Sequence, residues 1–275
     1  MINIDDFKTQ GYFTHSFTHL SALTEIKQTC ESIARKFFGD QFTTLDKYHE
    51  IKIDSDRHEE FQYAVFNQLN NDKMHRQFVT DNLAFFTSIF GADLDVQTNL
   101  YIRIARPKQA LDNIGIHRDT DYGNSAYELS LSLPLISQVE GCGLNVIPKS
   151  HLFTKRNIKQ FNRVDVERGK AKNQMGFLYA PKEILDLDEH QLKCISLPFG
   201  SGLGFSLGLI HGQTVNHTNM TRWAIDFRIK NTFHPLTKNL KEGYYTPLNT
   251  SAIQDIAKDY YSINVDEKST LNNVK

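Results

Sequence analysis

The chain has 275 residues, 40% of them hydrophobic, enough to bury a substantial core and short enough to stay as one domain. Lys and Arg total 31 against 32 Asp and Glu, a formal net charge of -1 that supplies no field for a phosphate backbone or an anionic bilayer, so nucleic acid and membrane are excluded as main partners and a small molecule is expected. Cys30, Cys142 and Cys194 lie far apart with no CxxC spacing for zinc or a redox pair, and the opening "MINIDDFKTQ" is acidic where a secretory signal is basic, so a cytoplasmic address is expected.

An extended piece around "GYFTHSF" precedes Ser21 to Phe38, where Leu23, Ile26, Ile33, Ala34 and Phe37 recur at helical spacing until Gly39. "HEEFQYAVFNQL" sets Phe61, Ala64, Val65 and Leu69 on one helical face, and "DNLAFFTSIFG" reads as a third helix ending at Gly91. From Val96 the period changes to two. Leu100, Ile102 and Ile104 share one face of "VQTNLYIRIARP", with Asn99, Tyr101 and Arg103 on the other. "YELSLSLPLI" alternates in the same way, and "GLNVIP" and "RWAIDFRI" also read as strands. The apolar run from Cys194 to Ile210 is short for a membrane span and is cut by Pro198 and four glycines, which predicts two buried strands joined by a glycine turn. Thr154 to Lys172 form a basic polar insert, expected as a solvated loop, with a lid as the sharper alternative.

Helices followed by many short strands predict a mainly β fold, a sandwich or barrel with an N-terminal helical buttress. The single domain divides into helical support at 1–95, a β core at 96–232 and a C-terminal extension at 233–275.

Chemistry concentrates in "GIHRDTDYG". In an extended segment residues i and i+2 point the same way, so His117 and Asp119 converge while Arg118 turns aside. His58 and Glu60 have the same spacing inside a helical pattern, where they diverge, and are set aside. A lone His-x-Asp is weak evidence; what strengthens it is His211 at the end of an apolar run, followed by Arg222 on a strand. Two histidines and a carboxylate on one face of an octahedron suit Fe(II) and leave three positions open, two for a chelating 2-oxo acid and one for dioxygen. The far carboxylate of such an acid calls for a guanidinium, and parity puts Arg222, Ala224, Asp226 and Arg228 on the face opposite Trp223, Ile225 and Phe227.

In order, "DFKTQGYF", "HRD", "GCGLNVIPKSH" and "HGQTVNHTNMTR" resemble the Fe(II)/2-oxoglutarate-dependent oxygenases, in particular the phytanoyl-CoA hydroxylase-like branch. The resemblance spans Phe7 to about Arg228. It implies a double-stranded β-helix, or jelly roll, with His117, Asp119 and His211 as iron ligands and Arg222 as the anchor of 2-oxoglutarate. The implied reaction consumes O2, releases succinate and CO2, and hydroxylates a C–H bond; retention of Asp119 favours this, or another outcome of hydrogen-atom abstraction such as desaturation or ring closure, over halogenation.

Family members often read "HGS", whereas Gln213 and Thr214 stand here, and Thr214 is carried as the hydroxyl that holds the co-substrate. Face parity adds Tyr101 as a co-substrate contact and Arg103 as a substrate contact; Arg228 is read either as a substrate ligand or as a partner of Asp226. His151, His190 and His217 are read as loop or structural residues. The polar, basic inward positions point to a sugar, nucleotide-sugar or amino-acid derivative as substrate. Two rivals are a cupin-type metalloenzyme that needs no 2-oxoglutarate and a non-catalytic jelly-roll binding protein.

Overall fold

The computed structural model describes residues 4–153, 184, 187–235 and 243–271; the basic insert at 154–172 lies outside them. Five helices come first: α1 (Ile4–Gln10), α2 (Ser21–Phe38), α3 (Ser55–Asp72), α4 (Met74–Asp81) and α5 (Leu83–Phe90). In α2 the apolar stripe Ala22, Leu23, Ile26, Cys30, Ala34 and Phe38 is buried, and the helix stops at Gly39, whose φ of 54° favours a residue without Cβ. Asp54 caps α3 by accepting the Arg57 N–H at 2.8 Å, and Lys73 ends it in the left-handed region at φ 53°. That turn frees a short helix, α4, which has too few turns to show a periodicity in the sequence.

The strands are β1 (Tyr12–Ser16), β2 (Leu94–Gln97), β3 (Tyr101–Ala105), β4 (His117–Arg118), β5 (Leu129–Pro134), β6 (Leu144–Val146), β7 (Lys193–Ile195), β8 (Ser201–Ser206), β9 (Ile210–Gly212), β10 (Arg222–Asn231) and β11 (Tyr245–Asn249); a final helix, α6, spans Ala252–Leu271. They form two antiparallel sheets. The larger runs β1-β8-β5-β10-β2-β11, with β3 also on β10, and the smaller runs β4-β9-β6-β7. Among the described residues no strand pairing joins one sheet to the other.

Two strands fall outside the 96–232 core: β1, from the helical portion, pairs with β8, and β11, from the C-terminal extension, pairs with β2. The run from Cys194 to Ile210 holds the end of β7 and the start of β9 as well as β8, with Gly208 in the turn between β8 and β9. The strand expected from Val96 onward is broken in two. Asn70 on α3 accepts the Leu100 N–H at 2.8 Å and donates to the Leu100 carbonyl at 3.2 Å, so a helix side chain takes the place of a strand partner there.

The alternation along β10 fixes the layering. Trp223, Ile225, Phe227 and Ile229 join Ile102, Ile104, Leu131 and Leu133 in one apolar core with α2 and α3 residues such as Leu23, Ile26, Phe61 and Leu69. Trp223 is fully buried and its indole N–H donates to the Leu45 carbonyl at 2.7 Å, tying the sheet to the helical layer. The opposite face of β10 therefore turns toward the smaller sheet and carries polar residues. No helix among the described residues is long and apolar enough to cross a membrane.

Candidate metal centre

β4 and β9 are short antiparallel neighbours in which His117 stands directly opposite His211. Their rings lie 4.4 Å apart between centroids. Gly212 permits this closeness, since a Cβ there would come within 2.6 Å of the Gly115 carbonyl oxygen. Asp119 does not continue the strand: β4 ends at Arg118 and Asp119 opens a short 3-10 turn, Asp119–Tyr122. The turn nevertheless delivers its carboxylate to the same place, with Oδ1 at 3.5 Å from His117 Nε2. Arg118 turns away and donates to the carbonyls of Ser150 at 2.7 Å and Phe153 at 3.2 Å, which pins β4 from behind.

One ligand atom from each of His117, Asp119 and His211 falls within 4.8 Å of the others, and all three residues are buried. Both imidazoles are oriented by the backbone. His117 Nδ1 bonds the Gly115 carbonyl at 2.8 Å and His211 Nδ1 bonds the Leu209 carbonyl at 2.9 Å. A carbonyl can only accept, so each Nδ1 carries a proton and Nε2 is the ring nitrogen left to face a metal. Burial and the neighbouring His117 push the His211 pKa down to about 4, which keeps its Nε2 lone pair free at neutral pH. Burial pushes the Asp119 carboxyl up, but the Arg228 guanidinium beside it outweighs that and holds the group well below the usual carboxylate range. Two imidazole nitrogens and one ionised carboxylate form a donor set suited to a divalent transition metal.

The cavity beside these three residues is lined from both sheets. Ile114, Leu144, Phe205 and Phe227 provide apolar wall, and Gln97, Tyr101, Arg103, Gln213, Arg222, Asp226 and Arg228 provide polar groups. Arg222 is 2% exposed, and its Nε and Nη1 are buried with no hydrogen-bond partner in the protein. Burial pushes its pKa down while Asp226 pulls it up. A desolvated guanidinium facing this cavity is a fitting receptor for an anionic group such as a carboxylate.

The other expected contacts distribute unevenly. Tyr101 and Arg103 line the cavity, with the Arg103 guanidinium 5.2 Å from the centre of the Tyr101 ring and its Nε donating to Asp226 at 2.7 Å. Arg228 pairs with Asp119 at 3.0 Å rather than with Asp226, which Arg103 has already taken. Thr214 is exposed, accepts a hydrogen bond from Asn145 at 3.1 Å and does not line the cavity. The strand ends at Gly212, and Gln213, two residues after His211, points inward in its place; the period-two rule that singled out His117 and Asp119 could have found it. Gln97 was also missed, because it stands at the very end of β2. His58 is buried and hydrogen-bonded to Tyr48 at 2.8 Å, remote in role from the cavity.

No known family profile matches the sequence, and no curated protein matches it. Solved structures do match in fold. The apo form of ThoJ, a non-heme monooxygenase, is 17% identical and aligns over 98% of this chain and 97% of its own with a TM-score of 0.55. Its nickel complex is 16% identical, covering 98% of both chains at a TM-score of 0.52. The epimerase SnoN, in complex with Fe3+, alpha ketoglutarate and nogalamycin RO, is 12% identical over 89% of this chain and 96% of its own, with a TM-score of 0.54. The chain thus shares the fold of non-heme iron enzymes at identities too low to carry more than the fold.

Proposed function

We propose that the protein is an Fe(II)- and 2-oxoglutarate-dependent oxygenase that hydroxylates a C–H bond of a small polar metabolite. The observation that carries this reading is the buried group of His117, Asp119 and His211 facing the same cavity as an Arg222 guanidinium with two unpartnered nitrogens. A metal site alone would fit a cupin-type enzyme equally well; the unsatisfied buried cation beside it favours a dicarboxylic co-substrate. The structures of ThoJ with nickel and of SnoN with iron and alpha ketoglutarate support the reading by fold. It includes the jelly-roll topology, the phytanoyl-CoA hydroxylase-like branch and a cytoplasmic address.

His117 Nε2, Asp119 and His211 Nε2 would hold the iron, and Arg222 would hold the distal carboxylate of 2-oxoglutarate. When bound, iron and 2-oxoglutarate couple conversion of the oxo acid and O2 to succinate and CO2 with oxidation of a substrate C–H bond. The chain's own groups prepare that chemistry. The Gly115 and Leu209 carbonyls hold both imidazoles through Nδ1–H, which orients each Nε2 toward the place where the metal would sit. Phe205, Leu144 and Ile114 form part of the apolar wall of the cavity and would limit the water that reaches the bound groups. Tyr101 and Gln213 stand where they can contact the co-substrate, and Arg103 with Asp226 where they can meet a polar substrate.

Incubation of the protein with Fe(II), 2-oxoglutarate and air tests the reading. Succinate is expected even without substrate, as slow uncoupled turnover, and His211→Ala is expected to lower it to the level of free iron. Metal binding with neither succinate formation nor anaerobic binding of 2-oxoglutarate would leave the cupin-type alternative standing and remove this one.

A further inference from the structure

Arg228 pairs directly with one of the three ligand residues, and its contacts give it a role that neither substrate binding nor the proposed co-substrate anchor requires. Its Nη2 lies 3.0 Å from Asp119 Oδ2, while Asp119 Oδ1 is the oxygen turned toward His117 Nε2 at 3.5 Å. Arg228 is itself held on two sides. Its Nη1 donates to Asn124 Oδ1 at 2.9 Å and to the Tyr244 hydroxyl at 2.8 Å. Asn124 closes the loop by donating through Nδ2 to the Asp119 backbone carbonyl at 3.0 Å. Tyr244 comes from the segment leading into β11, where the next residue, Tyr245, donates to Glu128 Oε2 at 2.5 Å. The side chains of Arg228 and Asp119 are 14% and 8% exposed, so the pair works in a desolvated setting where a charge-assisted bond resists exchange with water.

We infer that Arg228, clamped by Asn124 and the C-terminal Tyr244, is a positioning residue that occupies Asp119 Oδ2 and so leaves the carboxylate only one oxygen for the metal. The inference rests on the oxygenase reading. Its consequence lies in the number of positions left open. Two imidazoles and one carboxylate oxygen use three of six positions; a carboxylate free to chelate through both oxygens uses a fourth. A bidentate 2-oxo acid and dioxygen together need all three that remain. Arg228 thus protects co-substrate binding without touching the co-substrate, and the C-terminal segment becomes part of the metal site.

The test compares wild type, Arg228→Met, Arg228→Lys and Tyr244→Phe, each checked for native circular dichroism, in anaerobic titrations with Co(II) and then with 2-oxoglutarate. For Arg228→Met the inference expects Co(II) affinity to be kept or raised, because a cation has left the site, and 2-oxoglutarate affinity to fall about 10- to 100-fold. The Co(II) visible spectrum of that variant should also shift before 2-oxoglutarate is added, as the coordination number changes. Arg228→Lys should restore most of the co-substrate affinity. Tyr244→Phe, which leaves the charge in place, should give a smaller loss in the same direction, and it carries the test if Arg228→Met does not fold. Parallel loss of Co(II) and 2-oxoglutarate would mark Arg228 as merely structural, and unchanged affinities would give it no role; either result overturns the inference. Failure of the wild type itself to bind Co(II) at this site would instead overturn the functional reading beneath it.

Discussion

A guanidinium taken out of water costs several kcal/mol unless hydrogen bonds and counter-charge replace its hydration. Arg103 and Arg228 find such partners in Asp226 and in Asp119, and Arg118 donates to the Ser150 and Phe153 carbonyls with only its Nε left unbonded. Arg222 does not: two of its nitrogens are buried and unbonded, with Asp226 only partly compensating its charge. If Arg222 anchors 2-oxoglutarate as proposed, Arg222→Met should do two opposite things. It should stabilise the ligand-free protein by about 1–3 kcal/mol and weaken 2-oxoglutarate binding at least about tenfold. Thermal melts without ligand and anaerobic 2-oxoglutarate titrations would check both halves. At this scale much of the site is legible in the sequence, because period-two alternation ties the direction of His117, Arg222 and Gln213 to their neighbours. The partner of Arg228 is not legible, because Asn124 and Tyr244 reach it through the path of the chain rather than through any spacing.

Helix α4 illustrates what an element contributes beyond its propensity. Its His75 is fully buried, donates through Nε2–H to the Gln97 carbonyl at 2.9 Å and leaves Nδ1 without a partner. Burial, partly opposed by that bond, pushes its pKa down to about 4 from the 6.5 of a free imidazole. Below pH 6.5 the unfolded chain takes up a proton that the folded chain refuses, so this residue makes stability fall as the pH drops from about 6.5 to about 4, by up to about 3 kcal/mol. Denaturation midpoints of wild type and His75→Gln across that window would show it, with the variant giving the shallower decline. Elements with several turns or a clear alternation, such as α2, α3, β5 and β10, can be read from sequence because burial imposes their period. The break between β2 and β3 cannot, since it depends on Asn70 of a distant helix capturing the Leu100 backbone. Asp119 also leaves the strand earlier than alternation predicts, yet its carboxylate still meets His117.

In the whole molecule the helical layer, the larger sheet and the smaller sheet divide the work. Trp223 and its neighbours anchor β10 to the helices, which leaves the other face of that strand free to carry Arg222, Asp226 and Arg228 into the cavity. The smaller sheet contributes the two histidines from adjacent strands, and the C-terminal segment contributes the tyrosine that steadies Arg228. The sequence order of helices and strands makes the class of fold readable; the way the C-terminal segment returns to the site is decided by tertiary pairing of β11 with β2. The claim on which the account depends is that His117, Asp119 and His211 hold one metal ion. Anomalous diffraction from crystals soaked anaerobically in Fe(II) tests it most directly. A single strong peak among His117 Nε2, Asp119 Oδ1 and His211 Nε2, absent in His211→Ala crystals, is the predicted result. A saturated soak with no peak there, or with iron held elsewhere while the three side chains keep their metal-free contacts, would contradict it.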